Sequence, residues 1–117
     1  QLKDTVNYMY TNAMYAQLVV YIEACYSGSM GDVFPTDADA YLTTAANDME
    51  SSYACYWDAP RGAYIGDLYS VSWMEDVYSH TAPSSETLEP NYTTTQARCD
   101  GSSHVMQYRD LTIAPEL

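Results

Sequence analysis

Basic residues are nearly absent from this chain. Four Lys and Arg stand against sixteen Asp and Glu, leaving a formal net charge of −12 over 117 residues. Nucleic acid and anionic membrane surfaces both demand basic patches, so this balance excludes them as partners. Long apolar runs are also missing, and without about 18 consecutive apolar residues no membrane span is expected. No basic, apolar and small-residue leader opens the sequence, which therefore reads as a mature or internal segment. There is no C-x-x-C pair, and the Cys/His spacing fits no zinc site, so no metal is expected. Cysteine itself is sparse and odd in number. Cys25, Cys55 and Cys99 cannot all pair within the chain, so at least one thiol is free or bonded elsewhere. No internal repeat or low-complexity tail is present.

What remains is apolar enough, at 47%, for the core of one small domain over residues 1–117. Residues 2–17 predict an amphipathic helix, with Leu2, Val6, Met9 and Ala13 at helical spacing. Leu18–Ala24 is an apolar, β-branched run and predicts a strand. Residues 27–38 carry Gly, Pro and Asp and predict a loop. Ala40–Ala45 predicts a second strand, followed by a polar loop expected at the same sheet edge as Cys25. Tyr53–Ile65 reads as an aromatic connection broken by Pro and Gly. Residues 68–77 predict a helix with Leu68, Val71 and Met74 as its apolar row and Asp67 at its N-cap. Residues 78–103 are rich in Ser, Thr and Pro; a helix at Thr87–Leu88 would be capped or broken by Pro90. His104–Tyr108 alternates and predicts a last strand. The pattern is α/β with about three strands, thin for a self-sufficient sheet.

Chemistry in open α/β sheets collects at the carboxyl ends of strands. Cys25 stands at such an end, before the small-residue turn Ser27-Gly28-Ser29. Two readings of this thiol are open: a buried structural cysteine, or a nucleophile followed by a turn of backbone donors. Asn91-Tyr92-Thr93 is an N-glycosylation sequon and points to a secreted or lysosomal glycoprotein.

The wording of several blocks goes further. Tyr21-Ile-Glu-Ala-Cys25 with Ser27-Gly-Ser-Met30 resembles the active-site cysteine block of the legumain (asparaginyl endopeptidase) family. Leu42-Thr-Thr-Ala-Ala-Asn47, Glu50-Ser-Ser-Tyr-Ala-Cys-Tyr56, the segment from Tyr64 to Asp76, and Ser103-His-Val-Met-Gln-Tyr108 resemble further segments of that family in order. The resemblance runs from Leu2 to about Ile113, is weakest between Val77 and Gly101, and is closer to animal than to plant vacuolar members. It implies a caspase-like α/β fold, a mostly parallel sheet with helices on both faces. It also implies a hydrolase, a cysteine protease cutting peptides and proteins after Asn and less readily after Asp at acid pH, in a lysosomal, vacuolar or extracellular setting. No cofactor is implied.

Residue by residue, the resemblance makes Cys25 the nucleophile and gives Gly28 a place in the turn holding the oxyanion. It places Glu23, Ser52 and Asp67 in the pocket for the substrate Asn, with Tyr26 in the adjoining cleft. An Asn side chain offers one acceptor and two donors, so a pocket of this mixed kind suits it. For Asp67 the helix cap remains the other reading. Two departures stand out. The family's general-base histidine, in a His-Gly turn, and the arginine of its Asn pocket match nothing here and belong upstream. His104 and His80 do not match the base. Tyr26 replaces an acidic residue, which either tunes specificity or blocks the site. Cys99 has no counterpart, leaving a disulfide to another chain as one option. The leading expectation is a legumain-like segment completed by a companion chain. The alternative is a non-catalytic assembly protein that self-associates through an open sheet edge.

Overall fold

A computed structural model describes residues 1–79 and 87–116. Helix α1 spans Leu2–Thr11. It stops six residues short of the predicted end, because Ala13 turns into the left-handed region at φ 50° and the Asn12 side chain caps the Tyr8 carbonyl. Strand β1 is Leu18–Ile22 and strand β2 is Ala40–Thr44. Between them, where a loop was expected, Ser29–Val33 forms the short helix α2.

The aromatic connection is in fact a hairpin. Strand β3, Ala54–Asp58, pairs antiparallel with β4, Ala63–Asp67. The Pro and Gly expected to interrupt it build its turn. Arg61 N–H donates to Asp58 Oδ1, and Gly62 takes φ +62°. Trp57 and Tyr64 face each other across the pair in a T-shaped contact at 5.1 Å.

Helix α3 follows at once over Leu68–Ser79. Helix α4 covers Leu88–Cys99, so Pro90 neither ends nor prevents it. Pro90 sits in the first turn, where an N–H would have no partner inside the helix. Strand β5 is Met106–Arg109, starting two residues later than predicted and leaving His104 in the preceding loop. A 3-10 turn at Leu111–Ile113 follows it.

The main sheet has the order β1-β2-β5. β1 and β2 are parallel, whereas β2 and β5 are antiparallel. The sheet is thus mixed, with β5 departing from a strictly parallel arrangement. β2 is its buried centre, and Leu42 is fully enclosed; burial of such a side chain contributes about 1.5–3 kcal/mol. Strand alternation sorts the faces. Leu18, Val20 and Ile22 pack with Val6 of α1, Met30 of α2 and Phe34. Tyr21 packs on the opposite face with Tyr69 and Trp73 of α3 and Cys99 of α4. Helices therefore cover both faces, as expected.

The buried side of α3 differs from expectation. Tyr69, Ser72 and Asp76 are its buried residues, while Met74 is exposed. Polar side chains can face inward here because they find partners: Ser72 Oγ donates to the Leu68 carbonyl of α3 at 2.6 Å, and α4 supplies a donor to Asp76. Asn91 Nδ2 donates to Asp76 Oδ2 at 3.0 Å and to the Trp73 carbonyl at 3.2 Å.

Candidate active site

Cys25 lies in the turn immediately after β1, at the carboxyl end of the sheet. It is exposed, Cys55 is half-buried and Cys99 is buried. The burial expected of a structural thiol thus falls on Cys99, whose Sγ rests against Ser72 Oγ. That position offers no outlet for a disulfide to another chain.

The 46–52 loop closes over the Cys25 turn, as the sequence suggested. Cys25 Sγ lies 3.8 Å from the Ser52 carbonyl and 3.9 Å from Ser52 Oγ. As a thiol it donates to that carbonyl. As a thiolate it is stabilised first by the Ser52 backbone, then by the Ser51 and Ser52 hydroxyls, and these hold its pKa below the usual thiol value. Its own backbone N–H also acts on the sulfur. Cys55 is shifted the other way, by burial and then by the charges of Asp67, Glu75 and Glu23. Cys99 is pushed up chiefly by burial.

Gly28 is buried and has an ordinary helical φ of −57°. Its role in the turn is one of clearance: a Cβ there would meet the Asn47–Asp48 backbone at 2.7 Å. Ser27 completes the seam, its Oγ accepting from Ala46 N–H and donating to the Ala46 carbonyl. Tyr26 adopts φ +58°, with its side chain 53% exposed. Its N–H donates to the Glu50 carbonyl at 2.7 Å.

Glu23 does what the sequence assigned to Asp67. Its Oε2 accepts from both Ser70 N–H and Ser70 Oγ at 3.0 Å, capping the start of α3 from a distant part of the chain. Its Oε1 is buried without a partner among the described residues. Asp67 is exposed and pairs with Ala54 in the hairpin register, two residues beyond Ser52. The carboxyl end of β1, the 46–52 loop and the hairpin therefore gather Cys25, Ser52, Glu23 and Asp67 on one side of the molecule.

Two other sequence candidates lie elsewhere. Asn91 is buried within α4 and its amide is already engaged. A glycan on that nitrogen would displace both of these hydrogen bonds. A triplet motif carries no information about burial. His80 lies outside the described residues. His104 is engaged with Glu50, its Nδ1 2.9 Å from Oε2. Among the described residues, no group of three or more His, Cys, Asp or Glu could hold a metal ion and no helix is long and apolar enough to cross a membrane.

Residues 1–117 match the model of the peptidase C13 family. The chain is 50% identical over 113 residues to legumain of Mus musculus and 49% identical over 113 residues to legumain of Homo sapiens. It is 39% identical over 127 residues to the vacuolar-processing enzyme beta-isozyme of Arabidopsis thaliana. Each comparison covers 97% of this chain and 26% of the relative, so the chain spans about a quarter of their length.

Proposed function

Because this chain belongs to the peptidase C13 family of legumain-like cysteine peptidases, with a partial caspase-like fold, we propose that Cys25 is the nucleophile of an asparaginyl endopeptidase. The observation that carries this is an exposed thiol at the end of β1 whose pKa is lowered by the Ser51–Ser52 loop. Only the thiolate attacks.

In this reading the Cys25 sulfur bonds to the backbone carbonyl carbon of a substrate Asn, and the Cys25 N–H donates to the developing oxyanion. A histidine from an upstream segment takes the thiol proton and passes it to the departing amine as the C–N bond breaks. Water then cleaves the thioester, releasing the acid and restoring the thiol; an amine in its place gives ligation. Ser52 Oγ donates to the substrate amide oxygen. The exposed Asp67 accepts from its nitrogen, with Glu23 lining the pocket behind it and the arginine that the same upstream segment supplies beside it. An apolar side chain would leave these groups without partners, which is how such a pocket discriminates. Tyr26 borders the cleft. The setting is an acidic one, lysosomal, vacuolar or extracellular, where part of the −12 charge is neutralised.

An Asn-directed, thiol-reactive peptide probe at acid pH tests the assignment, with the adduct located by mass spectrometry. The expected result is modification of Cys25, strengthened by the upstream segment and lost in Asp67→Ala. A folded chain that stays unlabelled with that segment bound would sink the proposal. A second reading, assembly without catalysis, draws on β1 lying at the sheet edge; unlabelled chain that self-associates would favour it.

A further inference from the structure

Glu50 is the crossing point of three segments. Its Oε1 accepts from Asn47 N–H at 3.0 Å, inside its own loop. The same oxygen accepts from His104 N–H at 2.6 Å, and Oε2 meets His104 Nδ1 at 2.9 Å. Its backbone carbonyl accepts from Tyr26 N–H at 2.7 Å. The left-handed residue after Cys25 therefore hangs from Glu50, which is held in turn by the loop entering β5. Ser103 reinforces that tie, its Oγ donating to the Ala45 carbonyl at 2.7 Å.

We infer that His104 is a positioning residue, a protonation-dependent clamp that fixes Glu50 and through it the Tyr26 amide and the Cys25 turn. The functional meaning rests on Cys25 being the nucleophile. The clamp itself does not.

The charged groups acting on His104 are Glu50, from the 46–52 loop, and Asp100, just after α4. The Glu50 hydrogen bond and charge, with a smaller push from Asp100, raise the imidazole pKa above its usual value. Burial alone would raise the Glu50 carboxyl, but hydrogen bonds from Asn47 and His104 outweigh it and hold the carboxyl below its usual value. The His104 contribution is complete below about pH 6.5 and is lost as pH rises through the raised folded-state value. The Glu50 contribution is present above about pH 4.3 and is lost as pH falls through the depressed one. The clamp is thus tight in mild acid and loosens as pH rises through the raised His104 value. The bond from His104 N–H persists at all pH, so loosening is partial.

Amide hydrogen exchange at Tyr26, expressed as a protection factor, tests this alongside NMR titration of the His104 ring in the full chain. Protection should fall about threefold, as befits an exposed pair, with its midpoint at the His104 titration. In His104→Gln, which keeps a neutral donor, protection should not vary over that range. In Glu50→Gln it should be lower throughout, with the His104 midpoint moved down. Constant wild-type protection across the His104 titration, or the same inflection in His104→Gln, would overturn the clamp. Failure of the Asn-directed probe to label Cys25 leaves these readouts untouched, so the two proposals fail separately.

Discussion

Cys25, Cys55 and Cys99 place one functional group in three environments, and reactivity should sort accordingly. Iodoacetamide at neutral pH is expected to alkylate Cys25 about tenfold or more faster than Cys55, since the thiolate fraction falls as pKa rises. Cys99 should react only when the chain unfolds. Peptide mapping over time checks the order; early modification of Cys99 would contradict its buried setting on α4. Tyr26 offers a second test. A left-handed φ costs an L-residue roughly 1–2 kcal/mol, and Asn tolerates it better. With the Tyr26 ring 53% exposed, Tyr26→Asn should stabilise the chain by about 0.5–1 kcal/mol, read as a higher urea midpoint. A lower midpoint would mean that the ring contributes more packing than its exposure suggests. The sequence marked Cys25 because a β-branched run ends there in small residues, a purely local signal. Glu50 and His104 lie 54 residues apart, and nothing local announces that one carboxylate will meet the other's ring and backbone. Glu23 is a similar case. Its cap on α3 depends on how β1 and α3 stack, so composition pointed to the adjacent Asp67 instead.

Between elements, the α3–α4 contact shows how polar groups can occupy a core. Asp76 and Asn91 are both buried and joined at 3.0 Å, and Arg98 reaches across from α4 to the Ser72 carbonyl and to Glu75. Replacing Asn91 by Ala removes one donor to the buried Asp76 carboxylate and one to the Trp73 carbonyl and should cost about 1–3 kcal/mol, the range for hydrogen bonds lost at buried or charged groups. Urea unfolding of Asn91→Ala measures it; an unchanged midpoint would mean that other donors satisfy Asp76. The same geometry predicts that chain exported through a glycosylating pathway and recovered folded carries no sugar on Asn91, checked by intact mass. Element by element, β1 and β2 were readable because β-branched and apolar residues run without interruption there. α2 was hidden by its Gly and Asp, and the hairpin by Pro60 and Gly62, the very residues that make its turn. The buried face of α3 was unreadable from hydrophobicity, since Ser72 and Asp76 point inward, Ser72 donating to the Leu68 carbonyl one turn earlier and Asp76 accepting from Asn91 on another helix.

At the scale of the whole molecule, the main sheet stops at β1, whose outer edge is unpaired among the described residues. Every residue of β1 is half-buried, whereas β2 is enclosed throughout. The radius of gyration is 15.1 Å, against about 13 Å for a compact domain of this length. The β3–β4 hairpin accounts for part of that, since Trp57, Tyr64 and Ile65 are more than half exposed. An unpaired edge beside the exposed Cys25 thiol invites one further strand in register with β1. The net charge of −12 opposes self-pairing more than it opposes a partner of lower charge, and salt weakens that opposition within a Debye length of about 8–10 Å. A separately produced upstream family segment should therefore bind and stabilise this chain by mass action, about 2.7 kcal/mol at a hundredfold excess over its dissociation constant. Its signature would be a melting temperature that climbs with added segment while the chain stays one copy per complex in analytical ultracentrifugation. If the segment leaves the melting temperature unchanged and added salt instead drives the chain into dimers or fibres, the β1 edge serves self-assembly and the catalytic reading loses its source of histidine.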